Sequence, residues 1–182
     1  MLGKTNSKAA NVPSCEHINI MLITNQPSHE DVVGAIVNVS YDGFNEDYVW
    51  EGEELTLKIP EGMRYMVSFS NIDGYASPSV VSYRAVADNA RNIKGLYRTE
   101  VVTIVVSADG NAVDAPVMVD GVSYTGSEIH HKVPFGRVYE IIPGEVSGYI
   151  TPASQSFTAN NASRLVEVAY VTSALTVEIL SN

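Results

Sequence analysis

The chain of 182 residues contains a single cysteine, Cys15, so it cannot close an internal disulfide. Its stability must come from packing and hydrogen bonds alone. Basic residues are also few, because 11 lysines and arginines stand against 21 aspartates and glutamates, which gives a formal net charge of −10. Without a cluster of basic residues, we do not expect the chain to bind nucleic acid through its phosphates.

Long apolar runs are missing as well. No apolar stretch is long enough to form a transmembrane helix, so membrane insertion is not expected. The first residues, Met1 to Lys8, lack the apolar segment of a secretory signal. On this basis we expect the chain to be made without classical export, and the alternative is that a signal has already been removed.

The sequence also lacks the patterns of common catalytic and metal sites. No Gly-x-Ser-x-Gly motif occurs, and adjacent residues on a strand, such as His130 and His131, point to opposite faces and cannot share a metal ion easily. The acidic clusters at 42–47 and 109–114 lack the spacing of a calcium loop and are interpreted as turn residues. We therefore predict no enzyme activity, no metal and no cofactor.

The strongest positive feature is an internal repeat. The stretch from Lys58 to Pro78 is written again from Lys132 to Pro152, with Lys, Pro, Gly, Tyr, a Gly-Tyr pair and a final Pro in one common register. So many matches in one register are improbable by chance and are typical of tandem modules. We predict two modules of about 75–85 residues each.

Both copies have the pattern of strands. Val37 and Val39 alternate with Asn38 and Ser40, as expected for a half-buried strand, and Asp120-Gly121 is a hairpin signal. Similar short runs recur along the chain between turns rich in Gly, Pro, Asn and Asp, so the chain is predicted to be all-β, with β-sandwich modules. The one helix-like rival is the segment 84–93.

These patterns divide the chain into four parts. We predict a flexible N-terminal arm over 1–16, module 1 over 17–99, module 2 over 100–172 and an extra C-terminal strand over 173–182. In the last part Leu175, Val177 and Ile179 alternate with Thr176, Glu178 and Leu180, so one face is apolar. We expect this strand to add to a sheet of its own chain or of a neighbouring subunit.

The aromatic residues suggest two roles. Tyr65 and Tyr139 occupy equivalent places in the two copies, which favours a shared role in the core. Tyr48 and Trp50 have no equivalent in the second copy. They are therefore candidates for an interaction surface, together with Leu175, Val177 and Ile179, with local core filling as the alternative.

The repeated elements also resemble a known family. Ile59-Pro60-Glu61-Gly62 followed by Gly74-Tyr75, and Val133-Pro134-Phe135-Gly136 followed by Gly148-Tyr149, are similar to PEGA-type and related immunoglobulin-like β-sandwich repeats. Such repeats are common in large surface and phage-encoded proteins of gut Bacteroidetes. The resemblance covers about residues 18–172 and implies two tandem immunoglobulin-like modules.

Modules of that family serve as spacers, adhesins and virion decorations. The resemblance therefore implies a non-enzymatic structural or interaction protein. Our first hypothesis is a phage virion component, either capsid-decorating or auxiliary, and the alternative is an adhesin or spacer of the bacterial cell surface. The expected partners are other structural proteins of an assembly or a second copy of the chain, and a cell-surface glycan or protein is a further possibility.

Overall fold

The computed structural model describes residues 14–173, and within them the chain is built of strands with one short 3-10 helix at Glu30–Val32. The prediction of an all-β fold is confirmed. The strands are β1 (Cys15–Thr24), β2 (Ile36–Tyr41), β3 (Phe44–Val49), β4 (Leu55–Pro60), β5 (Arg64–Phe69), β6 (Val81–Arg84), β7 (Ala90–Tyr97), β8 (Thr99–Ala108), β9 (Asn111–Ala112), β10 (Ala115–Val119), β11 (Val122–Gly126), β12 (Glu128–Pro134), β13 (Val138–Pro143), β14 (Tyr149–Ile150), β15 (Gln155–Thr158) and β16 (Ser163–Thr172).

The chain divides into two compact units. Within the described residues, unit 1 comprises 14–23, 29–70 and 78–96, and unit 2 comprises 24–28, 71–77 and 97–173. Unit 2 thus includes two short segments that the sequence predicts to belong to module 1. One physical reason is the side chain of Asn25, which donates to the carbonyl of Thr99 at 2.7 Å and accepts from its backbone N–H at 2.8 Å.

Unit 1 consists of two sheets. One contains three strands in the order β4-β1-β7, and the other contains four in the order β3-β2-β5-β6. Alternate residues of each sheet are buried, for example Ile18 and Ile20 in β1 and Val37 and Val39 in β2. Burial of one face of each sheet is the pattern of a β-sandwich, since alternate side chains of a strand point to opposite faces.

Unit 2 repeats this arrangement with additional short strands. The order is β12-β8-β16-β14 in one sheet, where β9 also pairs with β8, and β11-β10-β13-β15 in the other. Its core contains buried residues of both sheets, including Ile104 of β8, Val117 of β10, Ile141 of β13 and Val168 of β16. Each unit is therefore an immunoglobulin-like β-sandwich, in which the first strand pairs with the fourth and last main strands.

The turns that carry the repeated Pro and Gly are equivalent in the two units. Gly62 and Gly136 follow the strands that end at the repeated prolines, and both have positive φ angles, 81° and 89°. The N–H of Gly62 donates to the carbonyl of Ala85 at 2.9 Å, and that of Gly136 donates to Ala159 at 2.7 Å. The same hydrogen bond at matching positions confirms that one structural module occurs twice.

The two Gly-Tyr pairs also occupy equivalent corners. Gly74 and Gly148 have φ angles of 75° and 87°, which are accessible to glycine without strain. The backbone N–H of Tyr75 and of Tyr149 each donates, at 3.1 Å, to the carbonyl three residues earlier. The two pairs therefore share a glycine with positive φ and the same turn hydrogen bond.

Three local features of the structure sharpen or correct the sequence prediction. Asp120-Gly121 forms the predicted hairpin between β10 and β11. The helix-like segment 84–93 contains the end of β6, a turn and the start of β7, and forms no helix. Strand β1 begins at Cys15, so Cys15 and Glu16 belong to the sheet and not to an N-terminal arm.

Within residues 14–173 we find no helix with the length and apolar character needed to cross a bilayer.

Candidate functional site

An extensive polar cluster of unit 2 surrounds Glu100, whose side chain is completely buried. Its Oε1 accepts hydrogen bonds from Arg164 Nε at 2.7 Å and from the Tyr139 hydroxyl at 2.9 Å. Its Oε2 accepts from the backbone N–H groups of Asn160 and Asn161, at 2.8 and 2.7 Å. Both carboxylate oxygens are therefore satisfied by groups of the chain itself.

Unit 1 contains a related cluster around Glu16, which is also completely buried. The Tyr65 hydroxyl donates to Oε2 at 3.0 Å, and Arg91 Nε donates to Oε1 at 3.1 Å. The side-chain amide of Asn89 also donates to Oε1. The tyrosine and arginine thus have the same roles as in unit 2, while a side-chain amide supplies hydrogen bonds that come from backbone amides there.

An aromatic ring supports the arginine in each cluster. The guanidinium carbon of Arg91 lies 4.2 Å from the ring centroid of Tyr83, and that of Arg164 lies 4.9 Å from the ring centroid of Phe157. These two rings occupy matching positions when the copies are aligned on the sequence repeat. Stacking on the ring fixes the guanidinium in place and adds a cation–π attraction.

The electrostatics keep Glu100, Tyr65 and Tyr139 each in one protonation state at neutral pH. Burial alone would raise the pKa of Glu100, but hydrogen bonds from Arg164, the two backbone amides and Tyr139 outweigh it, so the net pKa is lowered. Burial, reinforced by the hydrogen bond to the carboxylate, raises the pKa of Tyr65 and of Tyr139. The Glu100 carboxylate therefore remains ionised and the two tyrosines remain donors, which is the arrangement of a stable structural network.

The sequence repeat does not align Glu16 with Glu100. Glu16 and Glu100 lie further apart in the sequence than Tyr65 and Tyr139, because the stretch between the first and fourth main strands is longer in unit 1. Glu16 falls within the predicted arm and Glu100 falls at the start of predicted module 2. A search for repeats that allows the first strands of the two units a different offset from the later strands would align Glu16 with Glu100.

The predicted surface residues Tyr48 and Trp50 have different environments. Tyr48 is half-buried on β3 and its hydroxyl donates to Glu46 at 2.8 Å. Burial and that hydrogen bond raise the pKa of Tyr48 to about 12. Trp50 is only 3% exposed, so its ring lies in the core of unit 1 and is not available as a surface anchor. Its indole N–H is the one buried side-chain polar atom without a hydrogen-bond partner within residues 14–173.

The adjacent histidines of β12 have separate partners. His130 lies 3.1 Å from both the Thr103 hydroxyl and the Glu128 carboxylate, while His131 lies 2.7 Å from the Tyr124 hydroxyl. Burial lowers the pKa of His131, although two nearby aspartates act in the opposite direction. No group of three or more His, Cys, Asp or Glu side chains suited to a metal ion occurs in the part of the chain that the structure describes.

The other predicted interaction residues, Leu175, Val177 and Ile179, lie outside the described residues. The proposed pairing of segment 173–182 with a sheet stays a prediction.

No protein-family model matches this chain, and no curated protein matches it. Several solved structures are similar. The Bacillus anthracis TIE protein is 16% identical with a TM-score of 0.41, and the match covers 87% of this chain but only 34% of that one. The shaft pilin SpaA from Lactobacillus rhamnosus GG is 12% identical (90% and 100% covered, TM-score 0.43), and the minor pilin GBS52 of Streptococcus agalactiae is 9% identical (92% and 100% covered, TM-score 0.45). Similarity at this level carries no conclusion about activity or partners.

Proposed function

We propose that the chain is a non-enzymatic structural or interaction protein, in which tandem immunoglobulin-like modules act as a scaffold within a larger assembly. One observation supports this best. Both units contain the same buried Glu–Tyr–Arg network, and the carboxylate oxygens in each are occupied by the chain itself. The polar network that occurs in both units therefore stabilises the fold of each module.

We further propose a family for the modules and two locations for the chain. The modules are PEGA-like repeats, and the first location to test is a phage virion, where the chain would be a capsid-decorating or auxiliary protein. The alternative is an adhesin or spacer of the bacterial cell surface. Both locations expose the chain to the medium outside the cell, so both require modules that stay folded there.

Fractionation separates these locations. Antibodies against the purified chain would be used on gradient-purified virions and on intact bacteria from the same culture, with and without protease shaving of the cells. Signal that follows the virion band supports the virion role, and signal that shaving removes from cells supports the surface role. Signal confined to the soluble interior of the cell would contradict both.

Assembly through segment 174–182 is a further part of the proposal. Its alternating residues form one apolar face. That face would be buried if the strand added to the sheet of a neighbouring subunit. Deleting 174–182 should then abolish self-association or incorporation into the particle, while circular dichroism of both modules is retained. Unchanged assembly after the deletion would rule this role out.

A further inference from the structure

Two arginines lie directly opposite each other on the exposed side of unit 1. Arg64 of β5 and Arg84 of β6 are partners in the antiparallel register, and both are exposed. Like charges in directly opposite positions destabilise a sheet. Arg84 donates from Nε to the carbonyl of Gly62 at 3.1 Å, but neither arginine forms an ion pair among the described residues.

The second module does not have this pair. When the two copies are aligned on the sequence repeat, the arginines match Val138 of β13 and Thr158 of β15, which are also register partners. The same fold therefore forms with a neutral pair at these positions. The two positive charges are not a requirement of the module, and unit 1 carries an electrostatic cost that unit 2 avoids.

The arginines border a groove on the outer face of the four-stranded sheet of unit 1. Arg64 and Arg84 together line one end of the groove, and Arg64 also lines a wider, open depression of about 540 Å³ next to it. Phe44, which is 37% exposed and stacks on Tyr41 with ring centroids 4.7 Å apart, forms one apolar part of the lining, and Met66, which is 51% exposed, forms another. A volume of this size suits a small organic ligand or part of a chain.

The polar groups of the groove indicate the chemistry of the ligand. Guanidinium groups bind carboxylates through two parallel hydrogen bonds, so the arginine end fits an acidic group. Ser40, Asn45 and Ser82 offer donors and acceptors, and the ionised carboxylate of Asp42 can only accept hydrogen bonds. Asp42 repels the carboxylates of an acidic peptide and of an acidic sugar alike, but each sugar ring also offers hydroxyls that can donate to Asp42 and a C–H face that can pack on Phe44 and Met66.

We propose that this groove of unit 1 binds an acidic oligosaccharide, with a sugar carboxylate held by Arg64 and Arg84 and the rings lying against Phe44 and Met66. The site is specific to the first module, because the second lacks both arginines. The proposal does not depend on where the chain is assembled. Since it is tested with the purified chain, its failure would leave the proposed structural role untouched.

Titration calorimetry of the full chain provides the test. The probe is tetragalacturonate, a tetrasaccharide with a carboxylate on each ring, and the controls are neutral maltotetraose and a hexaglutamate peptide. In the double variant Arg64→Val and Arg84→Thr, each arginine is replaced by its counterpart in module 2, so the fold should be retained. The matched control is Arg137→Gln, which removes one positive charge from unit 2, where Arg137 pairs with Asp120 at 3.2 Å.

We expect tetragalacturonate to bind the native chain, to bind at least about tenfold more weakly to the double variant and to bind the Arg137→Gln chain unchanged, since loss of charge-assisted hydrogen bonds accounts for a factor of this size. Binding should also weaken as salt is raised. The proposal is overturned if tetragalacturonate does not bind, if the double variant binds it equally well, or if either maltotetraose or hexaglutamate binds as tightly.

Discussion

The buried carboxylates of the two units are held in place by partly different groups. Glu100 accepts two hydrogen bonds from backbone amides, which are fixed by the chain path, whereas Glu16 accepts one from the side chain of Asn89. Arginine and tyrosine partners are common to both. The same charge network can therefore be built with rigid or with adjustable donors, and the two versions should respond differently when the carboxylate is removed.

The largest effect is expected for Glu100→Ala. Removing the carboxylate leaves two backbone amides, Tyr139 and Arg164 without their acceptor inside unit 2, and breaking a buried ion pair in this way costs about 3–5 kcal/mol. Urea denaturation of the full chain followed by circular dichroism measures the loss. Glu167→Ala, which removes an exposed carboxylate of the same unit, should change stability by less than about 0.5 kcal/mol. Equal effects of the two variants would refute the structural role of Glu100.

A smaller loss is expected for Glu16→Ala in unit 1. The amide of Asn89 is partly exposed and Arg91 is 29% exposed, so both can turn towards water when the carboxylate is absent. Fixed backbone amides cannot do so, and the difference amounts to about 1 kcal/mol for an unsatisfied group. Paired urea titrations of the two alanine variants measure it. A loss as large as that of Glu100→Ala would show that the rigid donors make no difference.

The two glycine corners give the next comparison. Both Gly74 and Gly148 have positive φ, which costs an alanine about 1–2 kcal/mol. At Gly74 a new Cβ would also lie 2.9 Å from Cβ of Lys132, whereas at Gly148 it would meet no atom within 4 Å. We expect Gly74→Ala to cost about 2–3 kcal/mol and Gly148→Ala about 1 kcal/mol. Thermal unfolding of both variants is the measurement, and identical melting temperatures would contradict the close approach at Gly74.

The hydroxyls of Tyr65 and Tyr139 test whether the Glu16 and Glu100 clusters depend equally on their tyrosine. Tyr139→Phe and Tyr65→Phe each keep the ring and remove one hydrogen bond to a carboxylate, of 2.9 and 3.0 Å. Each should destabilise its unit by about 1.5 kcal/mol. Hydrogen exchange resolved by residue would assign each loss to its own unit. A clear inequality between the two would mean that the clusters are less alike than their geometry indicates.

The smallest effect concerns pH. The pKa of Glu100 is lower in the folded chain than its ordinary value, so its stabilising contribution is fully present above the ordinary glutamate pKa and is lost as the pH falls through the folded value. Unit 2 should therefore lose stability as the solution becomes acidic. Urea midpoints from pH 7 to pH 3 measure this, and Glu100→Gln should flatten the acid limb. If Glu100→Gln lost as much stability at acidic pH as the native chain, the acid sensitivity would not come from Glu100.

Local patterns predicted much of the fold. Alternation such as Val37 and Val39 marked strands, and Asp120-Gly121 marked a hairpin, because these signals depend on neighbours in the sequence. The buried networks depend on contacts between residues far apart, 49 positions for Glu16 and Tyr65 and 39 for Glu100 and Tyr139. No local pattern reports such contacts.

Trp50 illustrates the same limit. A tryptophan without an equivalent in the second copy suggested a surface role, but its backbone N–H donates to the carbonyl of Ala35 at 2.9 Å, and its ring is buried in the core of unit 1. The two outward-facing arginines of the groove were missed for another reason. Their significance comes from the register of β5 and β6, which sets one charge opposite the other.

The parallel pairing of β8 and β16 has a mechanical consequence. These strands open and close the second module, and they pair in register from Val101 with Ser163 to Ala108 with Tyr170. A pull on the start of β8 and the end of β16 in opposite directions would slide the strands along each other. All the hydrogen bonds between them would then share the load at once and would not break one after another, so the module should resist tension applied along the chain.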